Sequence, residues 1–127
     1  MYLGIRSVIY PAPDIVAARD WFAGVLGVQP YFDEPFYVGF NVGGFELGLE
    51  AGASVEDGPI SYWGVDDVDD AVAGLVAAGA TRRGDVLDLG DGLRMATVTL
   101  SGGGGIFGVI ENPHFVLAPV ASTGPGR

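Results

Sequence analysis

The sequence predicts an α+β fold built from two βαβββ units. Three observations carry that reading. A strand-like run, an aspartate, an amphipathic helix and a glycine stop occur twice, with Asp14 and Asp67 standing 53 residues apart. Each helix is followed by about three further strand-like runs. Glycine-rich turns separate those runs where tight hairpins need a positive φ. Superposing Asp14 on Asp67 also superposes Ile15 on Val68, Ala18 on Ala71 and Phe22 on Leu75. Repetition in a chain of 127 residues points to an internal duplication.

The elements follow in order. Residues 2–9 form the first strand, and Asp14 caps a helix whose buried stripe is Ile15, Ala18, Phe22 and Val25, ending at Gly27. Gln29–Glu34 is a short strand or bend broken by Pro30 and Pro35. Phe36–Val42 and Phe45–Glu50 are strands joined at Gly43-Gly44, and Ala51–Gly58 links the halves. Ile60–Val65 is β-branched and aromatic. Asp67, with Asp70 three residues on, has the spacing of a capping box, and Gly79 fits the left-handed stop after Val68, Ala71, Val72 and Leu75. Asp85–Asp88 is a weak strand, Leu93–Leu100 a strong one, and Ile106–Glu111 the last, closed by Asn112-Pro113. The domain is expected over residues 1–116, with units at about 2–57 and 58–116. Residues 117–127, rich in Pro and small side chains, are expected to form a flexible tail.

Composition excludes several function classes. Apolar residues make up 49% of the chain, enough for a core. A net charge of −10 offers no basic patch for nucleic acid or an anionic membrane. There is no cysteine, so disulfides and thiolate metal sites are excluded, which suits a reducing compartment. No apolar run reaches membrane-spanning length and no leader pattern is visible, so a soluble cytoplasmic protein is the expectation.

Strand alternation assigns faces. Val38, Phe40 and Val42, Leu47 and Leu49, and Ala96, Val98 and Leu100 should lie under the helices. Tyr37 and Asn41, Glu46 and Glu50, and Met95, Thr97 and Thr99 should line the opposite face. Tyr62 shares the parity of Ile60 and should face that side too, whereas Trp63 should pack on the helix side, and Trp21 beside Phe22 reads as a packing residue. The glycine run 102–105 lacks the Lys-Ser/Thr and helix of a phosphate loop. The Asp66–Asp70 acids lack EF-hand spacing and suit a helix start better.

The repeated strand–Asp–helix–Gly signature, with ISYWGVDDVDDAVAGLVAAGA and GIFGVIENPHF, resembles the vicinal oxygen chelate superfamily of glyoxalase I, bleomycin-resistance proteins and extradiol dioxygenases. The resemblance spans roughly residues 2–115. It implies two βαβββ modules forming a curved mixed sheet around a cleft, helices on the convex side, within a homodimer. It also implies metal-ligand positions on the first and fourth strand of each module. Counting from the capping aspartates and the closing strands, these fall on Ser7, Glu46, Ile60 and Gly108. Two of the four have no donor side chain, and one carboxylate with a serine hydroxyl cannot hold a transition metal. Glu50 adds a second acid on the same face, and His114, the only histidine, lies beyond the last strand.

The expectation is therefore a protein without metal or other cofactor that sequesters a small organic ligand of cationic or aromatic character. Ser7, Tyr37, Asn41, Glu46, Glu50, Tyr62 and Thr97 are the candidate ligand-binding residues. The alternative is a lyase, isomerase or dioxygenase working with Glu46 as base, the only candidate, or with an atypical metal site. A third is a dimeric scaffold with a vestigial cleft.

Overall fold

The computed structural model describes residues 2–115. The expected flexible tail lies outside them. Strand β1 (Tyr2–Pro11) leads to helix α1 (Ile15–Leu26) and strands β2 (Phe32–Glu34), β3 (Tyr37–Val42) and β4 (Phe45–Glu50). After a 3₁₀ turn at Val55–Asp57 the order repeats as β5 (Ile60–Val65), α2 (Val68–Ala77), β6 (Thr81–Asp88), β7 (Arg94–Thr99) and β8 (Ile106–Glu111). All eight strands form one mixed sheet in the order β2-β3-β4-β1-β5-β8-β7-β6. The two βαβββ units meet at the antiparallel β1–β5 pair. Inside each unit the first strand runs parallel to the last, β1 with β4 and β5 with β8.

The helix ends are made by the residues the sequence singles out. The Asp14 carboxylate accepts from the Ala17 N–H at 3.2 Å, and the Asp67 carboxylate from the Asp70 N–H at 3.0 Å. Glu111 adds a long-range brace, for its Oε1 accepts the Val68 N–H at 2.7 Å and pairs with Arg94. It thereby satisfies a first-turn donor that the helix itself cannot. Gly27 (φ 72°) and Gly79 (φ 110°) take the left-handed conformation. At the second end Ala80 N–H reaches Leu75 O while Gly79 N–H reaches Val76 O, the bond pair of a Schellman motif.

Both helices pack on one face of the sheet. Val68 and Val72 of α2 join Ala96, Val98 and Val109, with Leu75 and Phe107 at the margin. Ile15, Ala18, Phe22 and Leu26 of α1 cover Val38, Phe40 and Leu49. Each fully buried side chain of this kind contributes about 1.5–3 kcal/mol. Val25 does not belong to the stripe and is 60% exposed. In the last turn the stripe is carried by Ala23 and Leu26, which at about 100° per residue lie on the other side of Ile15 from Val25. Val42 and Leu100 keep the predicted parity but sit at strand ends, where they are about 40% exposed.

β6 is longer than the segment expected, beginning at Thr81 rather than Asp85. It is an edge strand with a bulge between Arg83 and Leu87, so its residues are polar and its alternation is broken. Among the described residues no helix is long and apolar enough to cross a membrane.

Gly108→Ala should cost about 1–3 kcal/mol by overpacking, because a Cβ there would meet the Tyr62 ring at 2.5 Å and the Ser61 carbonyl at 2.9 Å. Urea denaturation of the variant measures it. An unchanged midpoint would show that the ring and strand yield freely.

Candidate functional site

The face opposite the helices holds a cleft of about 1140 Å³. Its floor is set by strand register. Glu46 on β4 stands opposite Ser7 on β1, Ser7 opposite Tyr62 on β5, and Tyr62 opposite Gly108 on β8. These four form one row across the centre of the sheet. Ile60 is not in it. It stands opposite Ile9, further along β5. The strand-to-helix connection is longer in the first unit, where Ala12 and Pro13 precede the cap, than in the second, where Asp66 alone does. β1 also runs one residue further past the row, from Ser7 to Pro11 against Tyr62 to Val65, so Ser7 precedes its cap by seven residues and Tyr62 by five. Counting seven back in both units lands on different rows, and Tyr62 takes the place assigned to Ile60.

Three tyrosine rings lie over glycines. A Cβ at Gly108 would collide with Tyr62, one at Gly48 with Tyr37, and one at Gly39 would crowd Tyr31 at 3.0 Å. The glycines leave room for the rings to lie flat along the strands, and two of the hydroxyls converge on one acid. Tyr31 donates to Glu46 Oε1 at 2.6 Å, and Tyr37 donates to Glu46 Oε2. Burial, then Glu46, pushes Tyr31 above the ordinary tyrosine range and Tyr37 further still. Burial, helped by Glu50, pushes Tyr62 up to about 12. All three hydroxyls stay protonated at neutral pH, and those of Tyr31 and Tyr37 donate to Glu46.

The other predicted residues divide by role. Ser7 is 8% exposed and lines the cleft beside Arg6. Asn41 also lines it, but its Oδ1 accepts the Gly44 N–H at 3.0 Å and so fastens the β3–β4 hairpin. Thr97 stands in an adjoining hollow of about 260 Å³, where its hydroxyl accepts from Arg83 at 3.1 Å. Glu50 lines the cleft and has no side-chain hydrogen bond or ion pair among the described residues. His114 sits at the rim, its Nε2 2.9 Å from the Asp91 carbonyl oxygen. The sequence pattern marks neither Tyr31 nor Arg6. Tyr31 follows Pro30 in irregular chain, and Arg6 has the wrong parity until β1 bulges.

A divalent ion does not fit the row. Its donors are a hydroxyl at Ser7, a protonated phenol at Tyr62, none at Gly108, and a Glu46 carboxylate engaged by two tyrosines. Among the described residues no three His, Cys, Asp or Glu side chains converge.

This architecture is the fold of the vicinal oxygen chelate superfamily. A Streptomyces coelicolor methylmalonyl-CoA epimerase variant in complex with 2-nitronate-propionyl-CoA superposes with a TM-score of 0.68 at 16% identity, over 94% of this chain and 100% of that one. A glyoxalase/bleomycin resistance protein/dioxygenase superfamily member from Vibrio splendidus 12B01 gives 0.62 at 18% identity, over 85% and 99%. The hypothetical protein BH1468 from Bacillus halodurans C-125 gives 0.69 at 12%, over 88% and 96%. Identities this low establish shared fold alone. No protein-family model matches the chain, and no curated protein matches it in sequence.

Protein exposed to Ni²⁺, Zn²⁺, Fe²⁺ or Mn²⁺ and then desalted should carry no stoichiometric metal by elemental analysis. One ion per chain, lost in Glu46→Ala, would refute the misfit. Stability should hold up to about pH 10 and fall towards pH 12, because the unfolded chain releases protons there that Tyr31, Tyr37 and Tyr62 retain in the fold. Urea titrations across that range measure the fall, and Tyr62→Phe should make it shallower.

Proposed function

We propose that the protein binds and sequesters a small organic molecule with an apolar or aromatic body, without a metal ion. The observation that carries this reading is the mismatch between the cleft's walls and its floor. The walls hold large exposed rings, among them Tyr31 (62%), Phe36 (63%) and Phe45 (40%). The floor holds protonated tyrosines and a carboxylate already bonded on both oxygens. Exposed apolar surface of this extent calls for a partner, while the floor offers orientation rather than an activated nucleophile. Glu50, with no side-chain partner among the described residues, suits a cationic group of the ligand. A second copy of the chain closing the open side would complete the enclosure, and a chain without cysteine suits a reducing cytoplasm.

One observation favours a second reading, a lyase or isomerase. Glu50 is a carboxylate without a side-chain partner that acts on the Tyr62 hydroxyl electrostatically. A base and a hydroxyl donor on one face are the minimum for moving a proton next to a carbonyl. Glu50, rather than the clamped Glu46, would be the base. The methylmalonyl-CoA epimerase of like fold performs a reaction named for such a stereochemical change.

Thermal denaturation and calorimetry against aromatic amines, beginning with 4-(aminomethyl)biphenyl, test the binding reading. A ligand at a hundred times its Kd should add about 2.7 kcal/mol of stability, and Glu50→Gln should weaken binding about tenfold, ~1.4 kcal/mol. No shift from any member of a broad aromatic panel would defeat it.

A further inference from the structure

Arg6 is a cleft residue that the binding proposal leaves unused. The chain carries 16 acidic and 6 basic side chains, and every aspartate and glutamate lies among the described residues. Carboxylates therefore outnumber the guanidinium groups. Arg19 pairs with Asp20 and Asp33 at 3.0 and 3.3 Å, Arg83 with Asp57 at 3.2 Å, and Arg94 with Asp69 and Glu111 at 2.9 and 3.1 Å. Arg6 has no such pair, and neither has the exposed Arg82 on edge strand β6; what sets Arg6 apart is that two local features turn it into the cleft. β1 carries an irregularity between Ile5 and Ser7 in its pairing with β5, which leaves Arg6 outside the ladder. A bulged residue of this kind points out of the strand's alternation. Gly64 then supplies the space, since a Cβ there would meet Arg6 Nε at 2.6 Å.

The guanidinium is held but not saturated. Its Cζ lies 4.0 Å from the centre of the Phe115 ring, and Nη1 donates to the Leu3 carbonyl at 3.3 Å. A guanidinium stacked on a ring keeps its remaining in-plane N–H groups available for a bidentate partner. Arg6 borders the cleft together with Ser7, Asn112 and His114. Glu50 borders it too, opposite Pro11, five residues further along β1. At ~3.3 Å per residue the two backbones are roughly 16 Å apart. A cation and an anion, neither paired within the described residues, thus bracket an aromatic-walled cleft.

We infer that Arg6 is an oxyanion anchor, so that the ligand carries a carboxylate or phosphate-like group at the Arg6 end and a cationic group at the Glu50 end of an apolar body. This rests on the binding function proposed above and narrows its ligand to an elongated amphoteric molecule. A chain with net charge −10 repels organic anions at long range, so discrimination at Arg6 is a short-range effect of hydrogen bonding.

Four probes on one rigid scaffold test this by calorimetry. They are 4-(aminomethyl)biphenyl, biphenyl-4-carboxylate, 4′-(aminomethyl)biphenyl-4-carboxylate and the phosphonate analogue of the last. An amphoteric probe should bind on the order of tenfold tighter than the amine alone, and whichever oxyanion gains more identifies the preferred group. Arg6→Met should erase that gain and bring the amphoteric probes to the level of the amine. Arg6→Lys, which keeps the charge without the fork, should restore only part of it. Arg82→Met, an exposed site outside the cleft with the same loss of charge, should leave the gain intact. If the amine binds but neither oxyanion adds affinity, or Arg6→Met retains the gain, the anchor is disproved and the binding function stands. If no probe binds the unaltered protein, both fall.

Discussion

The open face depends on a single strand pairing, β1 against β5. Without it each unit would be a separate four-stranded sheet ending in an exposed edge, the arrangement natural sheets avoid. The pairing sets Ser7 against Tyr62, and the parallel ladders on either side extend that row to Glu46 and Gly108. Because side chains alternate with a period of two, the same pairing sends Leu47, Leu49 and Val109 to the helices and their neighbours to the cleft. A slip of one residue would exchange the two faces along the whole of β5.

Aromatic rings and glycines then finish the cleft. Tyr37 over Gly48 and Tyr62 over Gly108 are complementary pairs, in which the missing side chain of one residue is the space for the other. A buried hydroxyl without a partner costs about 1–3 kcal/mol, and Glu46 removes that cost for Tyr37 while also accepting from the more exposed Tyr31. A carboxylate so occupied is a structural acceptor for the two phenols. Among the described residues no buried side-chain polar atom lacks a partner. The polar groups on offer to a ligand are those at the surface of the cleft.

How far the sequence foretold this depends on how local each feature is. The caps at Asp14 and Asp67, the stops at Gly27 and Gly79 and the β3–β4 hairpin are decided by residues a few positions apart, and all are where the spacing puts them. The face assignment of Tyr37, Glu46, Glu50 and Tyr62 follows from alternation and also agrees. Register is not local. Whether Ile60 or Tyr62 stands beside Ser7 is settled by the pairing of distant segments and by the differing lengths of the two strand-to-helix connections. Tyr31 reaches Glu46 from an irregular stretch with no period to read, and Arg6 enters the cleft through a bulge that alternation conceals. Edge strand β6 hides for a related reason, since a half-exposed strand with a bulge has little apolar pattern to show.

The placement of the two indoles has its own consequence. Trp63 shares the parity of Val65, stacks on Phe107 with ring centres 6.0 Å apart, and donates to Ser61; Trp21 rides on α1 against Phe22. Both belong to the helical side of the sheet, while the cleft is furnished with tyrosine and phenylalanine. Intrinsic emission excited at the red edge, where indole alone absorbs, therefore watches the back of the molecule. It will stay silent while the front is filled, and change only when the sheet itself comes apart.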